Sequence, residues 1–132
     1  MSIAPGVTGR TALVVDDSRD TRSLLKGVLE MNGYYYVIEA ANGREALEIA
    51  KQICPDLILV DLNMPELDGL ATIKQVREMK GKYADVPILA MTAYDTYGMK
   101  EAAIQAGCNE YLSKPMLEHL DKLLRSYSCY DV

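Results

Sequence analysis

Along this chain, short apolar runs repeatedly stop at an acid or a hydroxyl. Thr11–Val15 ends in Asp16-Asp17, residues 57–60 end in Asp61, and residues 86–91 end in Thr92. A weaker run, residues 110–112, leads into Ser113-Lys114-Pro115, and residues 35–39 make a further strand candidate. Between these runs the apolar period lengthens to that of helices. Leu24, Leu25, Val28 and Leu29 share one helical face ahead of an Asn32-Gly33 stop. Asn42 with Glu45 three residues on resembles a capping box, and Ala46, Leu47, Ile49, Ala50 and Ile53 follow before Pro55 ends that helix. A third helix over about residues 70–80 turns Ile73 and Val76 inward, after Asp68-Gly69. The fourth, over about residues 96–106, has a thin inner face of Met99, Ala102, Ala103 and Ala106. A fifth begins near Met116 and carries Leu117, Leu120, Leu123, Leu124 and Tyr127.

Five strands in strict alternation with five helices predict an α/β fold: a doubly wound, five-stranded parallel sheet of flavodoxin-like order 2-1-3-4-5. Right-handed crossovers follow from the twist of the strands. In such a sheet all carboxyl ends lie along one edge, where open α/β sheets bind ligands. Asp16, Asp17 and Asp61 then become neighbours, with Thr92 and Lys114 on the adjoining strand ends.

Three carboxylates a few ångströms apart repel one another unless a cation is present. Mg²⁺ suits them, because it takes oxygen ligands and keeps several waters, so two carboxylates and a backbone carbonyl suffice. Lys114 offers a compact positive charge and Thr92 a hydroxyl, each suited to one oxygen of a phosphoryl group. With charge neutralised from both sides, Asp61 can itself attack phosphorus and form an acyl phosphate. Taken singly, each residue has a plainer role. Asp16-Asp17 can cap a helix, Asp61 can sit in a turn, Thr92 can be structural, and Lys114 can precede a helix-starting proline. Those readings fit poorly when all four must hold at matching strand ends.

Composition narrows the partners. At 132 residues, with 49% apolar and 25% charged residues, the chain makes one domain able to bury a core. A net charge of −5 argues against general nucleic-acid or anionic-membrane binding. No apolar run approaches the ~20 residues of a membrane span, and Met1 to Arg10 lack the features of a secretory signal. Cys54, Cys108 and Cys129 are an odd, scattered set, which fits a reducing cytoplasm better than a disulfide framework.

The pieces Val15-Asp16-Asp17, Asp61-Leu62-Asn63-Met64-Pro65-Glu66-Leu67-Asp68-Gly69, Met91-Thr92-Ala93 and Glu110-Tyr111-Leu112-Ser113-Lys114-Pro115 resemble the receiver domain of two-component response regulators. So does Asn42-Gly43-Arg44-Glu45-Ala46-Leu47 at the second helix start. The resemblance covers residues 11–127 as the domain, leaving residues 1–10 as a leader segment and 128–132 as a tail. It implies that Asp61 is the phosphoacceptor and that Asp17, Asp61 and the backbone carbonyl of Asn63 bind Mg²⁺, with Asp16 acting mainly through a water. It further implies that Thr92 and Lys114 hold the phosphoryl oxygens. Thr92 and Tyr111 would form the switch, acting on the face of the fourth helix, fifth strand and fifth helix. The implied donor is a histidine kinase or a histidine phosphotransfer protein, and the implied recipient is an unidentified downstream protein. Such a protein catalyses only its own phosphorylation and dephosphorylation.

The resemblance also implies that Asn63 and the position of Tyr94, two residues past Thr92, tune how fast water removes the phosphoryl group, and Tyr94 is bulky enough to lean over the pocket mouth and slow in-line water. The chain stops soon after the fifth helix, which is the expectation for a stand-alone receiver, monomeric or weakly dimeric. The alternatives are a receiver-like docking module that is never phosphorylated and a Mg²⁺-dependent phosphohydrolase. The intact acid set argues against the first. Against the second, the position two after Asp61 is Asn63 rather than an acid, and little chain remains for a substrate cap. A flavin-binding protein of the flavodoxin type would want a hydroxyl-rich loop where Asp16-Asp17 stands.

Overall fold

Each apolar run is too short for a helix and long enough for one strand, so its backbone groups must pair with neighbouring runs. They do so in a computed structural model that describes residues 10–31, 35–64, 67–93, 96–113, 120 and 122. Strands β1 (Thr11–Val15), β2 (Tyr36–Ala40), β3 (Leu57–Asp61), β4 (Ile88–Thr92) and β5 (Glu110–Ser113) form one sheet, parallel throughout, in the order β2-β1-β3-β4-β5. Helices α1 (Arg19–Met31), α2 (Gly43–Ile53), α3 (Gly69–Glu78) and α4 (Met99–Ala106) alternate with them, and a short 3₁₀ turn, Gly81–Ala84, precedes β4. Of the expected fifth helix only Leu120 and Lys122 are described; both are helical, and Leu120 is buried.

Alternation along the strands divides the core between the two faces of the sheet. Leu13, Val15, Ile58, Val60, Ile88 and Ala90 point to the side covered by α2, α3 and α4, where Ala46, Ala50, Ile73, Val76, Ala103 and Ala106 meet them. Ala12, Val14, Leu57, Leu59, Leu89 and Met91 point to the other side, against Leu25 and Leu29 of α1 and against Leu120. β3 is buried at every position, as a central strand covered on both faces must be.

The caps follow the sequence signals. The Asn42 side chain accepts the Glu45 N–H at 2.8 Å, while the Glu45 carboxylate reaches back to the Ala41 N–H at 2.7 Å, one residue beyond the usual box partner. Asp68 caps α3 by accepting the Ala71 N–H at 2.9 Å. Four expectations need correction. Leu24 does not share the buried face of α1 but is 57% exposed, because Leu25 and Leu29, with Val28 packed beside them, make the contact with the sheet. β4 begins at Ile88 rather than at Val86, since Pro87 has no N–H for the ladder. β2 lies one residue later than the aromatic run suggested, with Tyr35 buried ahead of it. The fourth helix starts at Met99, after Gly98 in a left-handed conformation (φ 82°), and not at Thr96.

Candidate functional site

The in-register pairing sets Val15 beside Val60 and Asp61 beside Met91, so the residues leaving β1, β3 and β4 emerge together at the carboxyl edge. Side-chain oxygens of Asp16, Asp17 and Asp61 there lie within 4.8 Å of one another. Asp16 is fully buried and Asp61 is 4% exposed, whereas Asp17 stands at the open rim. Thr92, the last residue of β4, is fully buried on the neighbouring strand. Tyr111 is half-buried on β5, packed against the core face that α4 covers. Lys114 and Tyr94 lie outside the described residues.

Local hydrogen bonds explain how the acids are held. The Asp16 N–H donates to the Ala40 carbonyl at 3.1 Å, extending the β1–β2 ladder past the strand end. The Asp16 Oδ1 accepts the Ser18 N–H at 2.9 Å, which tightens the turn into α1. The Ser18 hydroxyl in turn accepts the Thr21 N–H at 3.3 Å at the start of that helix. Behind the turn, Arg22 donates from Nη1 to the Asp16 carbonyl at 2.7 Å and from Nε to Glu39 at 3.0 Å. This half-buried guanidinium ties the main chain of Asp16 to β2.

Asp61 is fixed in a parallel way. The Leu62 N–H donates to the Met91 carbonyl at 2.8 Å, so pairing continues beyond β3. The Asn63 N–H donates to Asp61 Oδ1 at 3.0 Å, an Asx-type turn. The Asn63 side-chain amide then reaches across to the next strand and donates to the Thr92 hydroxyl at 2.6 Å. α3 abuts the same turn, since a Cβ on Gly69 would fall 2.4 Å from the Asp61 carbonyl oxygen.

Of the residues singled out in the sequence, the fold brings together Asp16, Asp17, Asp61, Asn63 and Thr92. Sequence reading missed Ser18, Arg22 and the bridging side chain of Asn63. Ser18 ahead of a helix could have been read as a cap. Arg22 carries no local signal, since its partners come from a different strand.

The donor set fits a hard divalent cation. It is all oxygen, three carboxylates converge, and two of them are withdrawn from water, where like charges are costly unless a cation neutralises them. An exposed third acid leaves room for the waters that Mg²⁺ keeps, so the cluster fits Mg²⁺. No helix among the described residues is long and apolar enough to cross a membrane.

Comparison with known proteins agrees with this geometry. The family model for the response regulator receiver domain matches residues 12–126. The chemotaxis protein CheY of Bacillus subtilis is 36% identical over 117 residues, covering 85% of this chain and 95% of that protein. Among solved structures, chemotaxis protein CheY4 of Vibrio cholerae superposes with a TM-score of 0.82 at 36% identity, over 89% of this chain and 98% of that one. The receiver domain of a sensor histidine kinase of Pseudomonas aeruginosa superposes with a TM-score of 0.81 at 32% identity, over 91% of this chain and 98% of that one. That structure holds a magnesium ion in its active-site cleft.

Proposed function

The chain belongs to the response regulator receiver family, whose members are phosphoacceptor signalling domains of two-component systems, and we propose that Asp61 is its phosphoacceptor. The observation that carries this is the convergence of three carboxylates within 4.8 Å, two of them buried, on the strand ends that flank the sheet's reversal point. A carboxylate oxygen of Asp61 attacks the phosphorus of a phosphohistidine on a kinase or phosphotransfer protein. As the new O–P bond forms, the P–N bond breaks; its electron pair stays on the imidazole, which ends as neutral histidine after taking a proton. The product is an acyl phosphate at Asp61.

Asp17, Asp61 and the backbone carbonyl of Asn63 would hold Mg²⁺, with Asp16 acting mainly through a water. When bound, the ion neutralises the acids and the charge gathering on the phosphoryl oxygens. The Thr92 hydroxyl donates to one phosphoryl oxygen, and the Lys114 ammonium takes another. Asp61 turns over only its own phosphoryl group, which water later removes as inorganic phosphate. Modification biases the face formed by α4, β5 and the fifth helix, with Tyr111 responding to Thr92, and that face binds a downstream protein. The domain acts as a monomer or weak dimer. α4 suits the moving part, because Ala103 and Ala106 are its only fully buried residues among those described.

The test is intact mass after incubation with acetyl phosphate, with and without Mg²⁺, beside Asp61→Asn. One added phosphoryl group that requires both the metal and Asp61 is the expected result. Modification that survives Asp61→Asn would overturn the assignment of the acceptor.

A further inference from the structure

Asn63 does more in this structure than lend a backbone group to the site. Its side-chain amide donates to Thr92 Oγ1 at 2.6 Å, while its own N–H holds Asp61 Oδ1 at 3.0 Å. One residue thus spans the ends of β3 and β4 and touches both the acceptor acid and the hydroxyl proposed to meet the phosphoryl group. The polarity of the bridge is informative. Thr92 accepts from Asn63, so the contact leaves the hydroxyl its own proton to donate. Hydrogen bonds in a chain polarise one another, so a hydroxyl that already accepts is the better donor. Thr92 is fully buried, and truncating the amide would leave its hydroxyl without this bond in a place closed to water.

We propose that Asn63 is a positioning residue that acts through Thr92: its amide holds the Thr92 hydroxyl aimed and polarised toward the phosphoryl oxygen on Asp61. The inference rests on the reading of Asp61 and Thr92 given above. It assigns the side chain of Asn63 a role apart from its carbonyl, which any substitution keeps.

The test is a double-mutant cycle read with beryllofluoride, a phosphoryl mimic, in saturating Mg²⁺. Asn63→Ala is expected to weaken its binding about fivefold, the weight of one net hydrogen bond. In a Thr92→Val background, which keeps the shape and lacks the hydroxyl, the same change is expected to do nothing. An equal loss in both backgrounds would show that Asn63 touches the phosphoryl group directly and would overturn the proposal. Tighter binding by Asn63→Ala would overturn it too, since the bridge would then oppose the bound state. A second readout needs no phosphoryl group: three-bond couplings to the Thr92 methyl report its χ1 rotamer by NMR. A single rotamer in the wild type that becomes averaged in Asn63→Ala supports the proposal, and unchanged couplings refute it. Failure of the wild type to bind beryllofluoride would count against the phosphoacceptor reading, and the rotamer measurement would still judge the bridge.

Discussion

Gly69 shows how little room surrounds Asp61. A Cβ there would lie 2.4 Å from the Asp61 carbonyl oxygen and 2.6 Å from the Leu62 Cα, and both are main-chain atoms with nowhere to turn. Gly69→Ala is therefore expected to cost about 1–3 kcal/mol, the usual range for overpacking, in urea unfolding. Because the atoms displaced belong to Asp61 itself, the rate of phosphorylation by acetyl phosphate should fall as well. Gly27 supplies the contrast. It lies inside α1 with nothing within 4 Å of an added Cβ, so Gly27→Ala should stabilise by about 0.5–1 kcal/mol and leave phosphorylation alone. Equal losses from both substitutions would mean that the contact at Gly69 is not the cause. At this scale the sequence revealed the residues that end strands: Asp16, Asp17, Asp61 and Thr92 each follow an apolar run. It hid the residues whose partners come from elsewhere in the chain. Arg22 meets Glu39 across 17 positions and Asn63 meets Thr92 across 29, and no periodicity encodes such pairs.

Among the elements, α4 is fastened unevenly. Its buried contacts are Ala103 and Ala106, with Met99 packed at the edge, while Tyr97 before it and Ile104 on its outer side are exposed. Its carboxyl end is held by Arg77 from α3. That side chain donates to the carbonyls of Gly107 at 2.9 Å, Tyr83 at 3.0 Å and Val86 at 2.7 Å, and to the Asn109 side chain at 2.9 Å. Asn109 Oδ1 also accepts the Ile88 N–H at 2.8 Å, which brings the start of β4 into the same network. Burial pushes the guanidinium pKa down, and nearby Asp85 opposes that shift. Gly107 lets the stem pass, since a Cβ there would come within 2.7 Å of the Arg77 Cγ.

Arg77→Met keeps most of the stem but strands several acceptors, so a loss of about 2–3 kcal/mol is expected. Arg77→Lys should restore little of it, because a point charge cannot serve four fixed directions. Amide exchange should quicken over residues 103–109, whereas phosphorylation by acetyl phosphate should persist, since the clamp sits at the opposite edge of the sheet. Phosphorylation lost along with stability would instead couple the clamp to the site. None of this was legible in advance, as an arginine near a helix end reads only as a favourable charge. The element types themselves were legible from period alone. Their starts shifted by two residues where Pro87 decided the boundary and by three where Gly98 did.

For the molecule as a whole, strict βα alternation pointed to a doubly wound sheet, the order β2-β1-β3-β4-β5 was an inference from that fold class, and the observed order created the site. Asp61 becomes a neighbour of the adjacent pair Asp16-Asp17, more than 40 residues earlier in the chain, only because β1 and β3 pair directly. The fold therefore bears an electrostatic cost at its functional edge, on a chain that already carries a net charge of −5. Two consequences in opposite directions follow from that cost. In chelator, Asp17→Asn removes one of the three charges and should raise the melting temperature, and molar monovalent salt, which screens charge beyond about 3 Å, should narrow its advantage over the wild type. Mg²⁺ binds only the folded arrangement and should stabilise the wild type by about 1.4 kcal/mol at tenfold excess over Kd. Asp17→Asn and Asp61→Asn should lose most of that gain, because each deletes a charged donor from the set. The two effects must trade places in the same variant: more stable than wild type without the metal, less responsive with it. A wild-type protein whose melting is indifferent to Mg²⁺, or an Asp17→Asn variant destabilised in chelator, would mean that the acids hold one another through hydrogen bonds instead of repelling, and the cation would no longer be needed to explain why they converge.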